Sequence, residues 1–168
     1  MPRWSEERSL IAVKKLIALV VVLCAVMISS SASAMANWVW ITSNEYFTIY
    51  VDNNSIRRDY NYHGYVFRAF EKRVYSEAGR QKEIEDRRSD GKLLPRGIYN
   101  LSYGIGLDYF KEENGIKYIC TMDCVYYDKN GNILSEMGFS RNTLKWDIVL
   151  PDSVGEAIFD NIQARVPN

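Results

Sequence analysis

YNLSYGIGLDYFKEENGIKYICTMDCVYYDKNGNILSEMGF, residues 99–139, decides the fold class. Its first odd positions read Tyr99, Leu101, Tyr103, Ile105, Leu107 and Tyr109, and the even ones Asn100, Ser102, Gly104, Gly106, Asp108 and Phe110. Successive side chains of a strand point to opposite faces, so this alternation predicts a half-buried antiparallel strand with its odd positions inward. KEENG, residues 111–115, is a turn in which Asn114-Gly115 can take positive φ. The chain returns over residues 116–127, where Ile116, Tyr118, Cys120, Met122, Cys124 and Tyr126 form the expected core face. DKNG, residues 128–131, is a second hairpin signal. Residues 133–139 give a third strand, with Ile133, Met137 and Phe139 on one side. The three strands make a meander.

Upstream, residues 38–42 and 46–51 read as two short strands, closed by a turn at Asp52-Asn53-Asn54. Residues 65–75 are aromatic and β-branched but alternate poorly, which requires either a bulge or a strand covered on both faces. EAGRQKEIEDRR, residues 77–88, is either an exposed helix begun by Ser76 or a solvated loop, and helix is the preferred reading. Pro95 and Gly97 punctuate the connection to the meander. Near the end, Ser153 and Glu156 stand at capping-box spacing, and Val154, Ala157, Ile158 and Ile162 share one helical face. A helix over residues 153–164 follows, with Trp146 and Ile148 expected to enter the core just before it. The whole is an α+β fold: an antiparallel sheet of about six strands with a C-terminal helix packed on one face.

The first 36 residues differ from the rest. Lys14 and Lys15 precede the 13-residue apolar run LIALVVVLCAVMI, residues 16–28, and small residues SSSASAMA follow. This is the tripartite form of a secretory signal, and the run falls short of the ~20 apolar residues that cross a bilayer. Cleavage is expected after Ala36. Cys24 lies inside the apolar run, without the small-residue context of a lipid-modified cysteine. The remaining 132 residues, 37–168, carry 17 basic and 19 acidic side chains, a net charge of −2, and form a single domain. The full chain balances 21 basic against 21 acidic side chains, which disfavours a nucleic-acid partner, because phosphate binding needs a clustered basic surface. His63 is the sole histidine, which rules out multi-histidine metal and catalytic sites.

NWVWI at 37–41, YVDNNSIR at 50–57, KRVYSEAGR at 72–80, YDKNGNIL at 127–134 and WDIVLPDSVGEAIF at 146–159 run in an order that resembles the surface-adhesin protein E-like domain family of exported Gram-negative proteins. The resemblance implies an antiparallel sheet with a C-terminal helix against it. It also implies an exported protein, periplasmic or on the cell surface, that binds a protein partner, host-matrix or envelope, rather than transforming it. Some members of the family tether the final helix with a cysteine near the chain end. This chain ends QARVPN, so apolar packing must hold the helix instead.

No enzyme signature emerges. Cys120 and Cys124 invite a disulfide, but four residues along a strand span about 13 Å, whereas bridged Cα atoms lie within roughly 7 Å, so a bulge at Thr121-Met122-Asp123 would be needed. They read as free buried thiols. His63 reads as a loop residue. Glu112-Glu113 and Glu83-Glu85 lie in solvated charge runs rather than facing each other as acid/base dyads. The Asp128–Asn132 loop shares part of a calcium-loop pattern but has Phe139 where the terminal glutamate belongs. No metal, cofactor or catalytic residue is nominated. Tyrosine, at 12 residues, is in excess; Tyr46, Tyr50, Tyr126 and Tyr127 suit strands, whereas Arg57, Arg58, Tyr60, Tyr62 and Tyr65 cluster around one loop and form the candidate binding patch. The expected function is a non-enzymatic binding module. A periplasmic structural or assembly component is the alternative, and a small hydrolase or redox protein the third and least supported.

Overall fold

Positive φ at Asn114 (53°) and Gly115 (76°) closes the central hairpin tightly, which aligns the two longest strands of the sheet over 13 residues each. The computed structural model describes residues 35–59, 66–138 and 145–167. Its strands are β1 (Trp38–Ser43), β2 (Phe47–Asp52), β3 (Arg57–Asp59), β4 (Val66–Tyr75), β5 (Leu101–Glu113), β6 (Ile116–Asp128), β7 (Ile133–Gly138) and β8 (Asp147–Ile148). Its helices are α1 (Glu77–Ser89) and α2 (Val154–Gln163). The main path runs β1-β2-β4-β5-β6-β7, antiparallel throughout, with β3 added to β4 and β8 to β6. The six-strand path agrees with the expected sheet, and β3 and β8 are short additions. No helix among the described residues is long and apolar enough to cross a membrane.

Directly paired residues share a face, so the register can be read as rows across the sheet. One row is Val51, Glu71, Gly106, Cys124 and Met137; the next is Ile49, Arg73, Gly104, Tyr126 and Ser135. Phe67, Phe110 and Ile119 form a third row on the same face. Both helices pack on that face, at opposite ends. Ile158, Phe159 and Ile162 of α2 bury against Ile49, Val51, Phe67 and Phe110, while Ile84 of α1 buries with Ile98, Leu101 and Tyr126. Phe67 and Phe110 stack at 5.3 Å, and Phe159 meets Phe67 edge-on at 5.2 Å. The other face carries a smaller cluster of Val66, Tyr109, Cys120 and Met122, flanked by Trp146.

The odd-inward reading of the β5 strand holds only in part. Tyr99 lies in a 3-10 turn, Ile98–Asn100, and is exposed, while Tyr103, Ile105 and Leu107 are half-buried and Gly104, Gly106 and Asp108 are buried. A strand covered on both faces has no solvent side for alternation to mark. In β6 the register slips at Met122, since Leu107 pairs with Asp123 but Asp108 with Thr121. This is the bulge a disulfide would have required, yet it acts the other way. It puts Cys120 opposite Tyr109 on one face and Cys124 opposite Gly106 on the other, and both thiols are free. The six even positions of β6 therefore do not share a face. In β4, by contrast, pairing to β5 is unbroken, so its poor alternation reflects cover on both sides rather than a bulge.

The helix starts match their sequence signals. Ser76 Oγ accepts from Gly79 N at 3.0 Å, so residues 77–88 are helix and not loop. Ser153 Oγ accepts from Glu156 N at 3.2 Å, but the Glu156 carboxylate returns to Asp152 N (2.8 Å), one residue before the cap. Ile148 does not enter the core. It is 59% exposed on the two-residue strand β8, and alternation gives its place to Val149, which is 8% exposed. Apolar packing does hold α2, assisted by Lys117 salt bridges to Glu156 (3.0 Å) and Asp160 (2.6 Å) and by Arg58 Nε donating to the Pro167 carbonyl at 2.8 Å.

Candidate functional site

Two glycines in one strand leave the floor of the helix-bearing face without side chains. Gly104 and Gly106 alternate with Tyr103, Ile105 and Leu107, so both point to the same side, midway between α1 and α2. Above them opens a recess of about 420 Å³. Its base is polar: Glu71 and Arg73 from β4, Asp108 from β5 and Thr121 from β6. Its walls are Tyr75, Cys124, Tyr126 and Met137, and Lys92, Lys145 and Asp147 stand among its lining residues.

Arg73 donates to Glu71 Oε1 from Nε (3.2 Å) and Nη2 (2.9 Å), and its guanidinium lies 4.9 Å from the Phe47 ring centroid. Burial opposes the Arg73 charge, but Glu71, Tyr75 and Asp108 together outweigh it and hold the group protonated. Thr121 Oγ1 donates to Asp108 Oδ1 at 2.6 Å. Asp108 is 4% exposed. Burial, and then the neighbouring Glu71 carboxylate, push its carboxyl up to about 8, which favours the protonated acid far more than at an exposed aspartate. Burial also raises both tyrosine hydroxyls and lifts the Cys124 thiol to about 11. The recess therefore holds an ion pair, a buried acid and aromatic walls, while its cysteine is a thiol rather than a thiolate.

The Asp108 carboxyl binds its proton more tightly in the fold than at its ordinary value of 3.8, so the stability linked to that proton is complete below about pH 4 and is lost as pH rises to about 8. Asp108→Asn keeps the shape without the titration. It should raise the melting temperature relative to the parent clearly more at pH 9 than at pH 5; an equal shift at both pH values would show that Asp108 is ionised in the fold.

Sequence reasoning missed this site, because the alternation that marked Gly104, Gly106 and Asp108 as small or polar assigned them to solvent. The expected patch fares differently. Arg57 and Arg58 are neighbours on β3 and point to opposite faces. Arg57 is exposed and donates to its neighbour's carbonyl (Ile56 O, 2.6 Å), while Arg58 holds the C-terminal tail. The two arginines do not converge. Tyr60, Tyr62, Tyr65 and His63 lie outside the described residues, as do Phe139 and residues 1–34. Of the tyrosines assigned to strands, Tyr126 lines the recess and Tyr127 stacks on Tyr103 at 4.8 Å on the far face. Glu83 pairs with Arg87 (2.8 Å) and Glu113 with Lys111 (3.1 Å), each within its charge run. Asp128 Oδ1 accepts from Asn130 N (2.8 Å) and Asn132 N (2.9 Å), the bonds of a hairpin loop. Among the described residues no group of three metal-ligating side chains converges.

Compared with protein-family models, with curated proteins and with solved structures, the chain finds no match in any of the three.

Proposed function

We propose that the chain is an exported, non-enzymatic binding module that recognises a protein partner, host-matrix or envelope, and that the recess over Gly104 and Gly106 is where the partner is gripped. One observation carries the reading. The recess combines an apolar wall, a fixed ion pair and a buried acid, the mix that orients a ligand. The tripartite leader supports export, and the ordered segments that resemble the surface-adhesin protein E-like family support binding rather than catalysis.

Filling the recess tests this. A Cβ at Gly106 would meet only ordinary contacts, the nearest being Asp123 O at 3.4 Å, so Gly106→Val should fold with an unchanged circular dichroism spectrum while projecting methyl groups into the space. Capture of the partner in the native envelope should drop by about tenfold or more; full capture by the folded variant would oppose the assignment.

The alternative, a structural or assembly component of the envelope, draws on a different observation. Among the described residues β1 and β7 each have one strand neighbour, and β7 carries Ile133 at 56% exposure, so either end could accept another chain's strand. In that case a lysine at Ile133, not a valine at Gly106, would abolish the association.

A further inference from the structure

At the base of the recess two carboxyl groups meet one guanidinium. The Glu71 side chain is 6% exposed. Its Oε1 takes both Arg73 hydrogen bonds, and its buried Oε2 has no donor besides the carboxyl of Asp108, which hydrogen-bonds to Glu71 when protonated. With Glu71 and Asp108 both ionised, the base would hold one net negative charge that no side chain there neutralises. A proton on Asp108 covers that charge in the free protein. The other charged groups around the recess are already matched, since Lys92 pairs with Asp90 at 2.7 Å and Lys145 with Asp147 at 3.4 Å. The remaining surroundings are Thr121, the neutral phenols of Tyr75 and Tyr126, the Cys124 thiol and Met137.

We propose that the recess is a site for an organic ammonium group on an apolar stem, which donates to Glu71 Oε2 and sets a second cation beside Arg73 against the two carboxyl groups of the base. The inference rests on the binding-module reading and names its ligand class. Each part of the site matches a part of such a group. The buried Glu71 Oε2 takes an N–H in place of the Asp108 carboxyl, a bond worth most where water is excluded. The aromatic walls favour a cation near their rings. Met137 and the glycine floor leave room for an unbranched stem. A carboxylate ligand would face Glu71, and a neutral one would leave the charge to the proton. The same chemistry has two sources, a lysine side chain on the protein partner or a free amine.

Cys124 and Cys120 provide the readout, because one thiol lines the recess and the other sits on the opposite face. The purified chain is titrated with N-acetyl-lysine methylamide and phenethylammonium, and with their uncharged counterparts N-acetyl-norleucine methylamide and 2-phenylethanol. The ammonium probes should slow alkylation of Cys124 and leave Cys120 unchanged, and the uncharged probes should bind at least about tenfold more weakly. Because probe and proton compete, affinity should fall about tenfold per pH unit below pH 8. Asp108→Asn should flatten that pH profile, and Glu71→Gln should abolish the preference for charge. Tighter binding of the lysine probe identifies a partner side chain as the source, and tighter binding of phenethylammonium a free amine. Equal protection by uncharged probes, or affinity independent of pH between 6 and 8, would overturn the ammonium assignment while leaving the recess a binding site. No protection by any probe would also overturn it, and the binding-module reading then stands or falls on partner capture by the Gly106→Val variant.

Discussion

Replacing Phe159 with alanine is expected to cost about 3–5 kcal/mol and to lower the melting temperature by roughly 10 °C or more. Phe159 is fully buried and reaches both stacked rings of the sheet, Phe67 at 5.2 Å and Phe110 at 6.0 Å. The surrounding rings belong to strands fixed by long ladders, so the space left by the missing ring cannot collapse. The polar ties of α2 are no substitute. Lys117 and its partners Glu156 and Asp160 are all partly exposed, and such pairs contribute about 0–1 kcal/mol each. Lys117→Ala should therefore fall within about 1 kcal/mol of the parent in urea unfolding. If Lys117→Ala cost more than Phe159→Ala, the apolar account of helix docking would be wrong.

Gly79→Ala is the second large effect. Gly79 sits in the first turn of α1, where a Cβ would lie 1.9 Å from the carbonyl oxygen of Tyr46. That oxygen is backbone, and it already accepts from Ser76 N at 2.9 Å, while Ser76 Oγ donates to Glu45 O at 2.7 Å. The helix start is thus docked directly on the β1–β2 hairpin and has no flexible side chain to give way. Alanine gains about 1 kcal/mol in helix propensity, but forced separation of two backbones costs about 1–3 kcal/mol or more. We expect a net loss of about 2 kcal/mol in urea unfolding. Gly155→Ala, in the first turn of α2, is the control: its Cβ would approach nothing nearer than 3.4 Å, so the propensity gain should survive and the variant should match or exceed the parent. Parallel losses in both variants would refute the close-contact argument.

Local signals carried most of the fold into the sequence. The Asn114-Gly115 turn, the capping residues Ser76 and Ser153 and the apolar face of α2 are short-range features, each readable from a few neighbouring residues. The faces of the long strands were less legible. Alternation assigns a solvent side only where solvent is present, and in β4 and β5 both sides are covered around Val66, Phe67, Tyr109 and Phe110. The bulge at Met122 shifted the second half of β6 by one place, and nothing in ICTMDCVYY marks it. The recess was hidden for the same reason. Glu71, Arg73 and Asp108 are far apart or unremarkable in the chain, and only the register of β4 against β5 brings them over the two glycines. Arg57 and Arg58 illustrate the converse: adjacency in a strand separates side chains rather than gathering them.

Photo-crosslinking in the native cell tests partner gripping by the recess most directly. A photoreactive residue is placed at Met137, on the recess wall, and in a second strain at Trp40, which projects from the opposite face and is 58% exposed. The account predicts an adduct of one defined mass from Met137, weakened when Gly106→Val is added, and little from Trp40. A defined adduct from Trp40 with none from Met137 would contradict it.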